Sequence, residues 1–166
     1  MCKRIDMHQS HVAVSPKDDL IEEIGGKEQY DFLILSFCEK IQEESELEEI
    51  FCHLDTEVLA SRMNSLVDVA FALTESRCQD EKLRNDVLLK NYSLLELGLY
   101  ASHFEILQQM FEAALHESWI EAEAFDRCKT RFEMLRNIIA EDGVGMEEIA
   151  LSHRVAEVRI LAAKSA

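Results

Sequence analysis

Between Lys27 and Glu44 the chain places Tyr30, Leu33, Ile34, Phe37, Cys38 and Ile41 at intervals that return them to one side of an α-helix. Glu39, Lys40, Glu43 and Glu44 fall on the other side. The same period recurs downstream. Leu59, Met63, Leu66, Val67, Ala70 and Phe71 form one stripe, and Phe104, Leu107, Phe111, Ala114 and Leu115 form another. A third comprises Phe125, Cys128, Phe132, Leu135 and Ile139. No segment alternates apolar and polar residues as a half-buried strand would. One proline and five glycines punctuate 166 residues, so helices run long between few breaks. The sequence therefore predicts an all-α fold built from one-sided helices that bury their stripes against one another.

Boundaries follow from capping chemistry. Asp18 or Asp19 is the expected cap of a short helix, DLIEEI, stopped by Gly25-Gly26. The second helix spans Lys27 to Glu44. Leu47, Ile50, Phe51 and Leu54 make an apolar corner, and Asp55 or Thr56 caps the next helix. Residues 74–86 are strongly polar and read as a loop or frayed helix, followed by a short helix over 87–95. Gly98 is a turn point and Ser102 a cap. Helices then run over Ser102–Glu117 and Glu121–Glu141, with Trp119 at the bend. Residues 1–17 lack periodicity and read as a flexible tail. Residues 18–141 form the domain, and 142–166 form a helical extension with an amphipathic piece at 146–163.

Charge narrows the function. Thirty-three acidic side chains against 17 basic ones give a net charge of −16. Such a surface repels nucleic-acid phosphates and anionic membranes, so neither is an expected partner. An unidentified protein partner, self-association or an apolar small molecule in a pocket remains open. No apolar run is long enough to span a bilayer. Five cysteines (Cys2, Cys38, Cys52, Cys78 and Cys128) without CxxC spacing fit the cytoplasm or another reducing soluble compartment better than a disulfide framework. Organelle targeting stays open. Nucleophile motifs, phosphate-binding glycine loops and HExxH are absent, so enzymatic activity is not expected. Cys38 on an inner stripe reads as a small hydrophobe. Cys78, in the polar stretch, is the more exposed candidate for redox chemistry. His8 and His11, with Cys2 and Met7, would hold a soft metal only weakly in a loose tail.

Four stretches, in order, resemble the truncated haemoglobins, short globins with a two-over-two helical sandwich. IEEIGGKE (Ile21–Glu28) resembles that family's opening Ile-Gly-Gly turn. Phe37-Cys38 stands where the family has Phe-Tyr. LEEIFCHLDTEVL (Leu47–Leu59) resembles its corner and the start of its distal helix. LLELGLYASHF (Leu94–Phe104) keeps the spacing of its segment of His, three residues, Gly, five residues, Phe. The resemblance covers roughly residues 19–140 and implies a globin-like fold with an extra C-terminal helix.

Carried over position by position, the resemblance makes Cys38, Phe51, Leu59, Met63 and Leu94 the lining of a haem pocket. Phe51 matches the phenylalanine that stacks on haem. Cys38 replaces the tyrosine that donates to bound oxygen, and Leu59 and Met63 occupy the distal positions. Leu94 stands where the proximal histidine ligates iron, and leucine has no lone pair to offer. The resemblance thus implies a non-enzymatic sensing, regulatory or protein-interaction module without histidine-ligated haem. Its alternative is a haem protein with a substitute ligand that binds oxygen or another diatomic gas. For that alternative the candidates are His103, His53, Tyr92, Tyr100, Cys38 and Met63. A third reading, a plain helical adaptor, makes 146–163 its docking element.

Overall fold

The computed structural model describes residues 15–91, 94, 97–99, 101–142 and 162–164. The expected tail up to residue 14, with Cys2, Met7, His8 and His11, lies outside the described residues, as do Tyr92, Tyr100 and nearly all of the 146–163 piece. Among the described residues the chain is helical, without strands.

The elements are α1 (Pro16–Glu23), α2 (Lys27–Glu43), α3 (Ser45–Phe51), α4 (Thr56–Phe71), α5 (Glu81–Lys90), α6 (Ala101–Glu117) and α7 (Ala122–Asp142). α1 opens earlier than the expected Asp18 or Asp19 cap. The Ser15 hydroxyl accepts from the Asp18 amide at 3.2 Å, and Pro16 follows at the first helical position. Gly25 and Gly26, at φ +113° and +88°, make the left-handed turn into α2. The Asp55 carboxylate accepts from the Val58 amide at 2.8 Å and starts α4. α5 begins six residues before the expected Val87, because Asp80 caps it through the Lys82 amide at 2.9 Å. α6 begins at Ala101, one residue before Ser102.

The four long helices close a ring of contacts. α2 packs on α4 and α6, and α7 packs on the same two from the other side. Each contributes a phenylalanine to the centre: Phe37 from α2, Phe71 from α4, Phe111 from α6 and Phe132 from α7, all fully buried. Phe111 and Phe132 stack with ring centroids 4.6 Å apart. Phe37 meets Phe111 edge-on at 5.4 Å and Phe132 at 6.0 Å, and Phe71 meets Phe111 at 6.3 Å. Each such pair adds about 0.5–1.5 kcal/mol beyond the apolar area it buries.

Polar ties hold the helices in register around this cluster. The Ser36 hydroxyl and Lys40 ammonium both donate to Glu117 at the end of α6, at 2.7 and 2.6 Å. These two bonds hold the Glu117 carboxyl below the usual carboxylate range. Gln29 donates to the Ser118 carbonyl just beyond. Arg84 of α5 pairs with Glu141 of α7 at 2.6 Å. Trp119 turns the corner between α6 and α7 with φ +52° and its side chain 94% exposed.

Candidate functional site

The site expected from the resemblance is assembled by α2, α3, α4 and the segment after α5. Asp55 fixes the first turn of α4, which sets Leu59 and Met63 one turn apart on its inner face. Cys38 comes from the inner face of α2, and Phe51 from the last residue of α3. Asn91 ends α5, with its side-chain amide donating to the Val87 carbonyl at 2.8 Å. The Leu94 amide then donates to the Asn91 carbonyl at 3.0 Å, and the Leu94 carbonyl accepts from Leu97 and Leu99. Gly98, at φ +96°, permits that last turn.

The structure buries all five expected positions within one apolar cluster. Leu59, Met63 and Cys38 retain 1%, 0% and 2% of their surface, and Phe51 and Leu94 retain 5% and 3%. Side chains lining a void large enough for a porphyrin would expose surface to it, and these do not. Leu94 borders a cleft of about 110 Å³ with Ser61, Arg62 and Ser65 of α4 and with Lys90 and Asn91. That is well below the roughly 300–1,000 Å³ typical of small-molecule sites. Burial, helped by Glu39, pushes the Cys38 thiol up to about 11, so it is no thiolate at neutral pH. These five side chains are packed into the core and present little open surface.

The substitute ligands are dispersed. His53 is exposed at the corner between α3 and α4, and His103 is half-buried on the first turn of α6. Among the described residues no three His, Cys, Asp or Glu side chains gather as a metal site. The thiols differ from expectation in one respect. Cys78 is half-buried, with burial pushing its thiol up, whereas Cys52 is the exposed cysteine. Cys128 is buried and pushed up to about 12, chiefly by desolvation.

Several polar groups inside the helical stripes escaped the sequence reading. The Tyr30 hydroxyl donates to Asp68 at 2.6 Å, and Lys17 reaches the same carboxylate at 3.4 Å. These groups border a cleft of about 390 Å³ between α1, α2 and α4. Burial and the Asp68 contact raise the tyrosine pKa, so the phenol stays protonated as a donor. Gln108 is buried between α6 and α7 and donates to Glu112 and Glu133 at 2.9 and 3.1 Å. Its carbonyl oxygen has no partner among the described residues. The signal for both was a polar tip at an inward position of an otherwise apolar stripe. No family profile, no curated protein and no solved structure matches this chain. Among the described residues no helix is long and apolar enough to cross a membrane.

Proposed function

We propose that this chain is a globin-like helical module of the truncated type that works without haem held by a proximal histidine. It serves sensing, regulation or protein interaction rather than catalysis. One observation carries the reading: the five positions that would line a haem pocket are close-packed, and the ligand position is Leu94. The ring of α2, α4, α6 and α7 supports the two-over-two arrangement, because each helix of one pair touches the other pair. The four central phenylalanines occupy the middle of that ring.

The surface supports an interaction role. Phe32 and Leu35 stand about half exposed on α2, at 49% and 55%, and Trp119 stands almost fully exposed at the corner after α6. Exposed aromatic side chains are favoured anchors at protein interfaces. The net charge of −16 directs the module toward basic or neutral partners, away from nucleic acid and anionic membranes.

The test is haem addition to the purified full-length chain, followed by absorption spectroscopy. The expected result is no sharp Soret band at one-to-one stoichiometry. A sharp band at that ratio, lost in a His103→Ala or His53→Ala variant, would overturn the reading in favour of a haem protein with a substitute ligand.

A further inference from the structure

α7 contains the run Arg127-Cys128-Lys129-Thr130-Arg131, three cations in five residues of an otherwise acidic chain. Two of the three are matched by carboxylates. Arg127 pairs with Glu23 and, at 3.7 Å, with Asp19. Lys129 pairs with Glu112 at 3.6 Å. Arg131 differs. Its Nη1 donates to the Phe71 carbonyl at 3.0 Å, satisfying the last carbonyl of α4. Among the described residues no carboxylate lies within ion-pair distance of it. A guanidinium carries five N–H donors in a rigid fork, and this bond uses one. Burial, then the neighbouring charge of Arg127, lowers the Arg131 pKa, while Asp19 acts more weakly in the opposite direction.

Arg131 lines a cleft of about 620 Å³ between residues 74–76 and α7. Its volume is within the usual range for small ligands. Three hydroxyls line it, from Thr74, Ser76 and Thr130, with those of Thr74 and Ser76 only 3.3 Å apart. Three carboxylates also line it, from Glu75, Glu123 and Asp126, and each of these residues is exposed. Positive charge therefore sits at the half-buried Arg127 and Arg131, the first of them matched by Glu23 and Asp19, and negative charge sits with the exposed residues.

We propose that this cleft binds a small zwitterion of the α-amino-acid type, with its carboxylate on Arg131 and its ammonium among Glu75, Glu123 and Asp126. The charge distribution selects against other classes. A nucleotide or other polyanion meets three carboxylates and the field of a strongly acidic chain. A simple amine leaves Arg131 uncompensated and adds a cation beside Arg127. A simple monocarboxylate gains Arg131 but is repelled by the carboxylates. A zwitterion matches both signs, and a carboxylate meets the guanidinium fork with two parallel hydrogen bonds. The site is independent of the central positions around Leu94, so it stands or falls apart from the haem question.

The test uses the full-length chain at low salt. Each of the twenty proteinogenic L-amino acids is screened singly by thermal shift, and hits are measured by calorimetry. Pentanoate and pentylamine serve as single-charge controls. At least one amino acid should bind one-to-one, with both controls about tenfold or more weaker. Arg131→Met should abolish that binding. Because Arg131 also satisfies α4, a second variant, Glu123→Gln with Asp126→Asn, keeps the guanidinium in place and should weaken binding by roughly tenfold. Failure of all twenty to bind below about 10 mM would overturn the proposal. So would equal affinity for pentanoate, or full affinity in the double carboxylate variant.

Discussion

Restoring the missing ligand is the sharpest probe of how this protein is packed. Leu94→His supplies an imidazole at the position that the proposed resemblance equates with the iron-ligating histidine. Leu94 keeps only 3% of its surface, so the substitution gives up most of a buried leucine, about 1.5–3 kcal/mol. Histidine also brings one donor and one acceptor. Ser61 and Ser65 line the adjoining cleft and offer a hydroxyl to one ring nitrogen. The other nitrogen is left without a partner, at about 1–3 kcal/mol. Arg62 and Lys90 border the same cleft and disfavour an imidazolium. The sum, roughly 2.5–6 kcal/mol, is a large share of the 5–15 kcal/mol typical of a domain and should lower Tm by about 5–25 °C. Melting curves followed by circular dichroism read this directly, with and without added haem. A ligand at a hundredfold its Kd would return about 2.7 kcal/mol. No such recovery is expected, since the cleft that Leu94 borders holds only about 110 Å³, far short of a porphyrin. The reasoning is refuted if Leu94→His matches the parent in stability, or if haem gives it a one-to-one Soret band and a raised Tm.

Phe111→Ala removes the ring that touches Phe37, Phe71 and Phe132 together and should cost about 3–5 kcal/mol, read as a shifted urea midpoint. Asp55→Ala removes the α4 cap and should cost only about 1 kcal/mol in the same assay. Native-state maleimide labelling with peptide mapping should modify Cys52 well before Cys78, with Cys38 and Cys128 last. Cys38 and Cys128 are raised from 9.0 to about 11 and about 12, so the folded state retains thiol protons that the unfolded state has lost above pH 9. Their contribution is intact below pH 9 and falls as pH rises toward 11–12, by up to about 1.4 kcal/mol per pH unit for each thiol. A Cys38→Ala/Cys128→Ala variant should show a flatter decline in urea midpoint between pH 8 and pH 10.5, and an equal decline in variant and parent would contradict this.

The inward stripes of α2, α4, α6 and α7 were legible because burial on a helix has the same period as the sequence pattern. Tyr30, Leu33, Ile34, Phe37, Cys38 and Ile41 are all buried as read. α5 was harder. Within it only Val87 and Leu88 are buried, so its stripe is barely a turn long and its cap at Asp80 is lost among polar neighbours. The candidate positions Cys38, Phe51, Leu59, Met63 and Leu94 were legible as interior, but their spacing carries no information about the volume between them. That volume is set by how helices far apart in sequence pack once they cross. Arg131 was out of reach for a related reason. Its partner is a backbone carbonyl, Phe71, sixty residues away, and backbone groups leave no mark in a sequence.

A filled centre changes where recognition can occur. In a pocketed helical sandwich the guest is part of the core, and binding and folding are coupled through the same contacts. Here Phe37, Phe71, Phe111 and Phe132 meet in the middle of the ring formed by α2, α4, α6 and α7. Under the proposed reading, a ligand or partner acts on side chains at the surface, where charge and exposure vary. The cleft beside Arg131 joins the end of α4 to the face of α7 through one hydrogen bond. The corner at Trp119 joins α6 to α7 and is tied to α2 through Gln29 and, one residue earlier, through Ser36 and Lys40 on Glu117. Both features sit at the edge of the aromatic centre, where polar contacts add to the packing between two long helices. Occupancy at either one can bias those contacts without disturbing the core, as a sensing or docking module requires.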